Sequence, residues 1–180
     1  SGSYGAGGGH GGKGGDRSSA VGGSRYGSAI MPVTEGSGGG GDAGGAGGGA
    51  IYMNVGNTLF VNGTIAADGM NGSGGSNVGG GGAGGSIYIE TTTLAGTGTI
   101  RAKGGTGGTG VSTGGGAGGR IAIYYNNNLF TGTLDVSGGL PGSSGTAGES
   151  GTIGVFNVTD PLNVDFTTGH SWRFEPDSGP

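Results

Sequence analysis

The chain has 180 residues, of which 56 are glycine, five are proline and none is cysteine; its formal net charge is -4 and only 10% of its residues are charged. A hydrophobic fraction of 30% is too small for an ordinary two-layer core, the lack of cysteine removes disulfides and thiolate metal sites, and the acidic balance argues against a nucleic-acid partner, which needs a basic face. No run of 18 apolar residues predicts a membrane span, there is no signal peptide at the first residue, and the missing initiator Met reads as a processed or excised chain.

Glycine at this density points to disorder, collagen or a silk-like material. Collagen is excluded, because the glycines keep no Gly-X-Y frame. Disorder is opposed by apolar residues that hold strand-like alternation from one glycine-rich phrase to the next.

Residues 1–43 form a glycine-rich lead-in or cap, with 29–33 as a short extended piece. Repeats fill 44–158, as copies over about 44–80, 81–114 and 115–148 and a partial one over 149–158. Each copy runs from a glycine-rich lead into an alternating strand, then a Thr- or Asn-rich bend, a short second strand and glycine again. Ile51, Ile87, Ile121 and Ile153 correspond, at spacings of 36, 34 and 32 residues, and Met53, Ile89, Ile123 and Val155 follow two places on. Residues i and i+2 of a strand share a face, so both sets point inward. Ile65, Ile100 and Leu134 repeat the pattern in the second strand, followed by Ala67, Ala102 and Val136, while Leu59, Leu94 and Leu129 fall in or after the bend. Stacked, these positions make aliphatic ladders that no single repeat could bury alone.

The glycine runs, such as 104–119, are costly to order. They make sense where backbones approach more closely than a Cβ permits, as in polyproline-II-like strands bonded to their neighbours; the alternative is long loops. Residues 159–180 change texture, with Trp172, Phe166 and Phe174, and read as a cap or a junction. The predicted fold is therefore all-β: a repeat-built parallel β-solenoid, β-helix-like, with ordered polyglycine or polyproline-II-like segments.

Chemistry is sparse. Matches to G-x-G-x-x-G arise from composition and precede no predicted helix. The glycines before Asp42 lack the acidic spacing of calcium-binding nonapeptides. His10 and His170 have no Cys or carboxylate cluster beside them and read as surface residues. Parallel β-helices host carbohydrate-cleaving enzymes, but no acidic pair recurs at matching positions of adjacent copies: Glu90 aligns with Asn54 and Tyr124, Asp68 with Lys103 and Ser137. No enzymatic activity and no cofactor or metal is predicted. Tyr52, Tyr88 and Tyr124 lie on the outward face of the first strand, where stacked aromatics suit sugar rings; alternatively they pack on the glycine-rich layer. Thr91, Thr92 and Thr93, with Thr97, Thr99, Thr131 and Thr133, raise an ice-binding face, although the copies do not repeat it regularly. Asn62, Asn71 and Asn157 head N-glycosylation sequons.

The phrases at 10–15, 26–28, 36–53, 79–89 and 114–124 resemble the glycine-rich module of large surface or cell-wall-associated proteins of bacteria, algae, oomycetes and plants. The resemblance covers about residues 8–156 and implies an extracellular, structural or adhesive protein. The expected role is a module of an extracellular fibre, sheath or surface appendage that associates with itself or with neighbouring modules; the alternative is an adhesin contacting glycans or ice.

Overall fold

The computed structural model describes residues 5–74, 78–109 and 112–159, together with the backbone of 164–165. Among these residues there are strands and no helix, and so no helix long and apolar enough to cross a membrane. The strands are β1 (Ala50–Phe60), β2 (Thr64–Ala66), β3 (Ser86–Gly96), β4 (Thr99–Arg101), β5 (Arg120–Phe130), β6 (Thr133–Asp135), β7 (Thr152–Asn157) and β8 (Val164–Asp165). They form two sheets, ordered β1-β3-β5-β7-β8 and β2-β4-β6. Every pairing is parallel except β7 with β8. The chain is a β-solenoid of about three turns.

Alternation explains the core. Ile51, Ile87, Ile121 and Ile153 stand opposite one another in consecutive strands, as do Met53, Ile89, Ile123 and Val155. Ile65, Ile100 and Leu134 make the matching row on the short sheet. Rows from both sheets meet in one cluster with Ala67, Ala102 and Val136. In its middle Ile87, Ile89, Ile100, Ile121 and Ile123 are fully buried, whereas Ile51, Met53 and Ile65 on the first turn are only partly so.

Three local expectations are corrected. The Thr- and Asn-rich stretches are not bends: β1, β3 and β5 each continue through them for 11 residues. Leu129 leaves the ladder, because β3 and β5 keep a constant offset that sets Leu94 against Asn128, while Leu129 meets Ala95 and is 60% exposed. A slip of one residue turns a side chain to the other face. The same slip is absorbed between β1 and β3 by a bulge between Val55 and Thr58, which keeps Leu59 opposite Leu94. Finally, residues 29–31 bend, and 29–33 form no strand.

The glycine-rich segments link one turn to the next through backbone hydrogen bonds. In 79–85, the amides of Gly79, Gly82 and Gly85 donate to the carbonyls of Ser73, Met70 and Ala67; those of Gly80 and Ala83 donate to Gly40 and Ser37; those of Gly81 and Gly84 donate to Gly114 and Ala117. The next turn repeats this. Gly116 and Gly119 donate to Gly105 and Ala102, Gly114 and Ala117 to Gly5 and Gly8, and Gly115 and Gly118 to Thr146 and Glu149. Each segment thus bonds in three directions, returning to the same neighbour every third residue. Close approach, rather than backbone conformation, makes glycine necessary: a Cβ at Gly82 would lie 2.0 Å from the Ala46 carbonyl oxygen, and among the described residues only Gly27, Gly41 and Gly96 have positive φ.

The lead-in runs along the side of the turns rather than over the end at β1. Its amides and carbonyls bond to Gly81, Ala117, Gly118, Thr146 and Glu149, which belong to three successive turns. The Lys13 amide and the Arg25 guanidinium both donate to Glu149 Oε2, at 2.9 and 2.5 Å. Together they hold that carboxyl below the usual glutamate range. Asp16 is held low by the Lys13 ammonium and the Gly22 amide.

Candidate functional site

Side chains at even positions of the first half of β1, β3, β5 and β7 face away from the aliphatic core. Tyr52 stands opposite Tyr88, but Tyr88 stands opposite Ala122; Tyr124, two places on, meets Glu90 and then Phe156. The rings form a continuous row with one step. Tyr52 and Tyr88 stack at 5.3 Å, Tyr88 and Tyr124 meet edge-on at 5.6 Å, and Tyr124 stacks on Phe156 at 4.5 Å. The three tyrosines therefore pack on one another on the outer face.

Glu90 gathers the polar groups of this face. Its Oε2 accepts from Tyr52 Oη and Asn54 Nδ2, both at 3.1 Å, and its Oε1 accepts from Tyr88 Oη at 2.5 Å. Burial, then the hydrogen bond to Glu90, pushes the Tyr88 hydroxyl well above the ordinary tyrosine value. Burial and the Glu90 charge also raise Tyr124, whose hydroxyl donates to the Ile30 carbonyl at 2.7 Å. The lead-in thus meets the row at its third ring. Beside it an open depression of about 320 Å³ is lined by Asn54, Glu90, Thr92, Tyr124, Asn126 and Val158, among others.

None of the protein families, curated proteins or solved structures compared with this chain matches it.

The threonines divide between the two sheets. Thr91 is buried and donates to the Asn57 carbonyl, and Thr92 donates to that of Gly56. Thr64, Thr99 and Thr133 stand in register on the short sheet. Two sequon asparagines have a role that the motif does not reveal. Asn62 Oδ1 accepts the Thr97 amide and Asn71 Oδ1 the Thr106 amide, and Asp68 accepts that of Lys103 in the same way, each across 35 residues to the following turn. Asn157 Oδ1 accepts locally from the amide and hydroxyl of Thr159. Salt bridges from Arg101 to Asp68 and from Lys103 to Asp135 also join turns, at 2.8 and 3.5 Å.

His10 is not a surface residue: it is 0% exposed. Its Nδ1 lies 2.8 Å from the Gly84 carbonyl and its Nε2 2.9 Å from Thr34 Oγ1, with the Tyr26 ring at 4.9 Å. No residue pattern marked it, because its partners are backbone atoms and a hydroxyl brought in by the fold. His170, like Trp172 and Phe174, lies outside the described residues. No group of three or more His, Cys, Asp or Glu among the described residues could hold a metal ion. Arg120 is likewise buried; its guanidinium donates to the Tyr26 carbonyl and to Thr152 Oγ1.

Burial, reinforced by the Arg120 charge, lowers the His10 pKa from its ordinary 6.5. The unfolded chain therefore takes up a proton that the fold resists. The stability His10 contributes is complete above its ordinary value and declines as pH falls through the window beneath it. The melting temperature is expected to stay level from about pH 8 to 7 and to drop from about pH 6.5 to 5, before ordinary carboxylates titrate. In a His10→Gln variant the second interval should be flat. An unchanged slope there in calorimetry would assign the dependence to other groups.

Proposed function

We propose that the chain is a structural module of an extracellular fibre, sheath or surface appendage, joined end to end with further rungs of the same repeat. The observation that carries this reading is the unsealed first turn. Among the described residues β1 pairs on one side only, with β3. Its ladder residues Ile51, Met53 and Leu59 are partly exposed where their counterparts Ile87, Ile89 and Leu94 are buried, and Tyr52, the end of the ring row, is 58% exposed. Unpaired strand edges of this kind invite another strand. The last turn of a second copy would present a matching edge, with Ile153 on Ile51 and Val155 on Met53, once it releases β8, which pairs with β7 at Val155 and Phe156.

The glycine-rich segments are read as polyproline-II-like strands. An amide direction that recurs every third residue matches the three residues per turn of that helix, and bonds in three directions suit a rigid load-bearing body. The extracellular setting rests on the resemblance of the glycine-rich phrases to surface-protein modules.

Light scattering and electron microscopy across a concentration series test the proposal. Particle mass should grow with concentration into filaments in which rungs advance by about 4.8 Å, the spacing of paired strands. Met53→Lys, which puts an ammonium at the open end of the ladder, should remain monomeric with its fold intact. A parent protein that stays monomeric throughout would overturn end-to-end assembly.

A further inference from the structure

We propose that the depression beside the aromatic row is a saccharide-binding site, taking one pyranose unit of a neutral glycan chain. A pyranose offers neighbouring hydroxyls, each both donor and acceptor, around an apolar C–H body. A site for it needs planar amide or carboxylate groups at fixed spacing and an apolar wall. The depression supplies both. Asn54, Glu90 and Thr92 come from β1 and β3, Tyr124 and Asn126 from β5, and Val158 follows β7, so three adjacent strands and the residue after a fourth contribute. The Tyr124 ring and the half-exposed Val158 supply the apolar wall.

The polar groups divide into held and open ones. Asn54 Nδ2 and two tyrosine hydroxyls fix the Glu90 carboxylate from three sides. A carboxylate has about four acceptor positions, so at least one remains for a sugar hydroxyl. Asn54 is oriented by the same contact, with its carbonyl oxygen as a further acceptor. Asn126 is exposed, and no described residue bonds its side chain, leaving two donors and an acceptor at the mouth. Most of these groups stand on strands whose register the ladders fix, which gives a site more precise than loops provide. A carboxyl group at the centre of the site disfavours an anionic sugar. The volume of about 320 Å³ lies at the small end of the range for ligand sites, in keeping with one ring rather than several. A second hollow, around Arg101 and Lys103, is occupied by their own salt bridges to Asp68 and Asp135.

Cellohexaose, chitohexaose, maltohexaose and mannohexaose, with hexagalacturonate as an acidic control, can be titrated against the full chain by ligand-observed NMR. At least one neutral hexamer should bind saturably and hexagalacturonate should not. Asn126→Ala and Glu90→Gln should each weaken binding by about tenfold or more, the loss expected for one or two hydrogen bonds, with the circular dichroism unchanged. Met53→Lys, at the open end of the ladder, should bind as the parent does, which separates this site from assembly. The proposal fails if no neutral hexamer binds saturably, if the acidic hexamer binds equally well, or if both site variants bind as tightly as the parent.

Discussion

Gly116→Ala should block folding or cost more than about 3 kcal/mol, the range reached when buried backbone has no room for a new atom. A Cβ at Gly116 would lie 1.9 Å from the Gly82 carbonyl oxygen and 2.4 Å from its carbon. Neither atom can withdraw freely: the Gly82 carbonyl accepts the Gly105 amide, while Gly116 itself donates to the Gly105 carbonyl. The same substitution at Gly63 should be neutral or stabilising by up to about 1 kcal/mol, because alanine restricts the unfolded chain. Nothing lies within 4 Å of a Cβ there, and its φ is not positive. Urea denaturation of the two variants beside the parent checks the pair. Equal small losses at both positions would mean that the glycine-rich segments are not packed as described.

Ile89→Ala should destabilise by about 3–5 kcal/mol, the upper part of the range for emptying a core site. Ile89 is fully buried between Met53 on one strand and Ile123 on the next, so the neighbouring rungs cannot collapse into the space without breaking their own pairing. Ile51→Ala, in the neighbouring row on the first turn, should cost about 1–2 kcal/mol, since part of that side chain already meets water and little cavity forms. Midpoints measured at a dilution where the protein is monomeric give the comparison. A loss at Ile51 as large as that at Ile89 would mean that the first turn is sealed.

The parallel, repeat-built solenoid was legible because one signal, apolar residues at i and i+2, recurs at nearly constant spacing. Ile87 and Ile121 need no further information to find each other. Leu129 shows the limit of that signal. Its likeness to Leu94 is one residue out of step with the strand, and composition cannot say whether a bulge will absorb the difference, as it does between Val55 and Thr58. The stretch Thr91, Thr92, Thr93 misleads for a related reason, since threonine serves turns and strands alike. The glycine-rich segments carry no side-chain code. Which of them lies beside which is decided by amides and carbonyls that every residue shares, so the lead-in's course along three turns and the burial of His10 could not be read. The candidate saccharide site was half visible. Its tyrosines and Glu90 alternate outward in the sequence, but Asn126 and Val158 join them only because β5 and β7 lie next in the sheet.

The three-way bonding of the glycine-rich segments has a thermal consequence. Unfolding most proteins raises the heat capacity by about 12–15 cal/mol/K per residue, with exposed apolar surface increasing it and exposed polar surface reducing it. Here much of what water reaches on unfolding is peptide backbone, and the aliphatic ladders are a small share of the chain. The heat-capacity change per residue should accordingly fall below that range, which calorimetry can check. Stability should then vary little between cold and warm conditions, giving a broad, shallow stability curve.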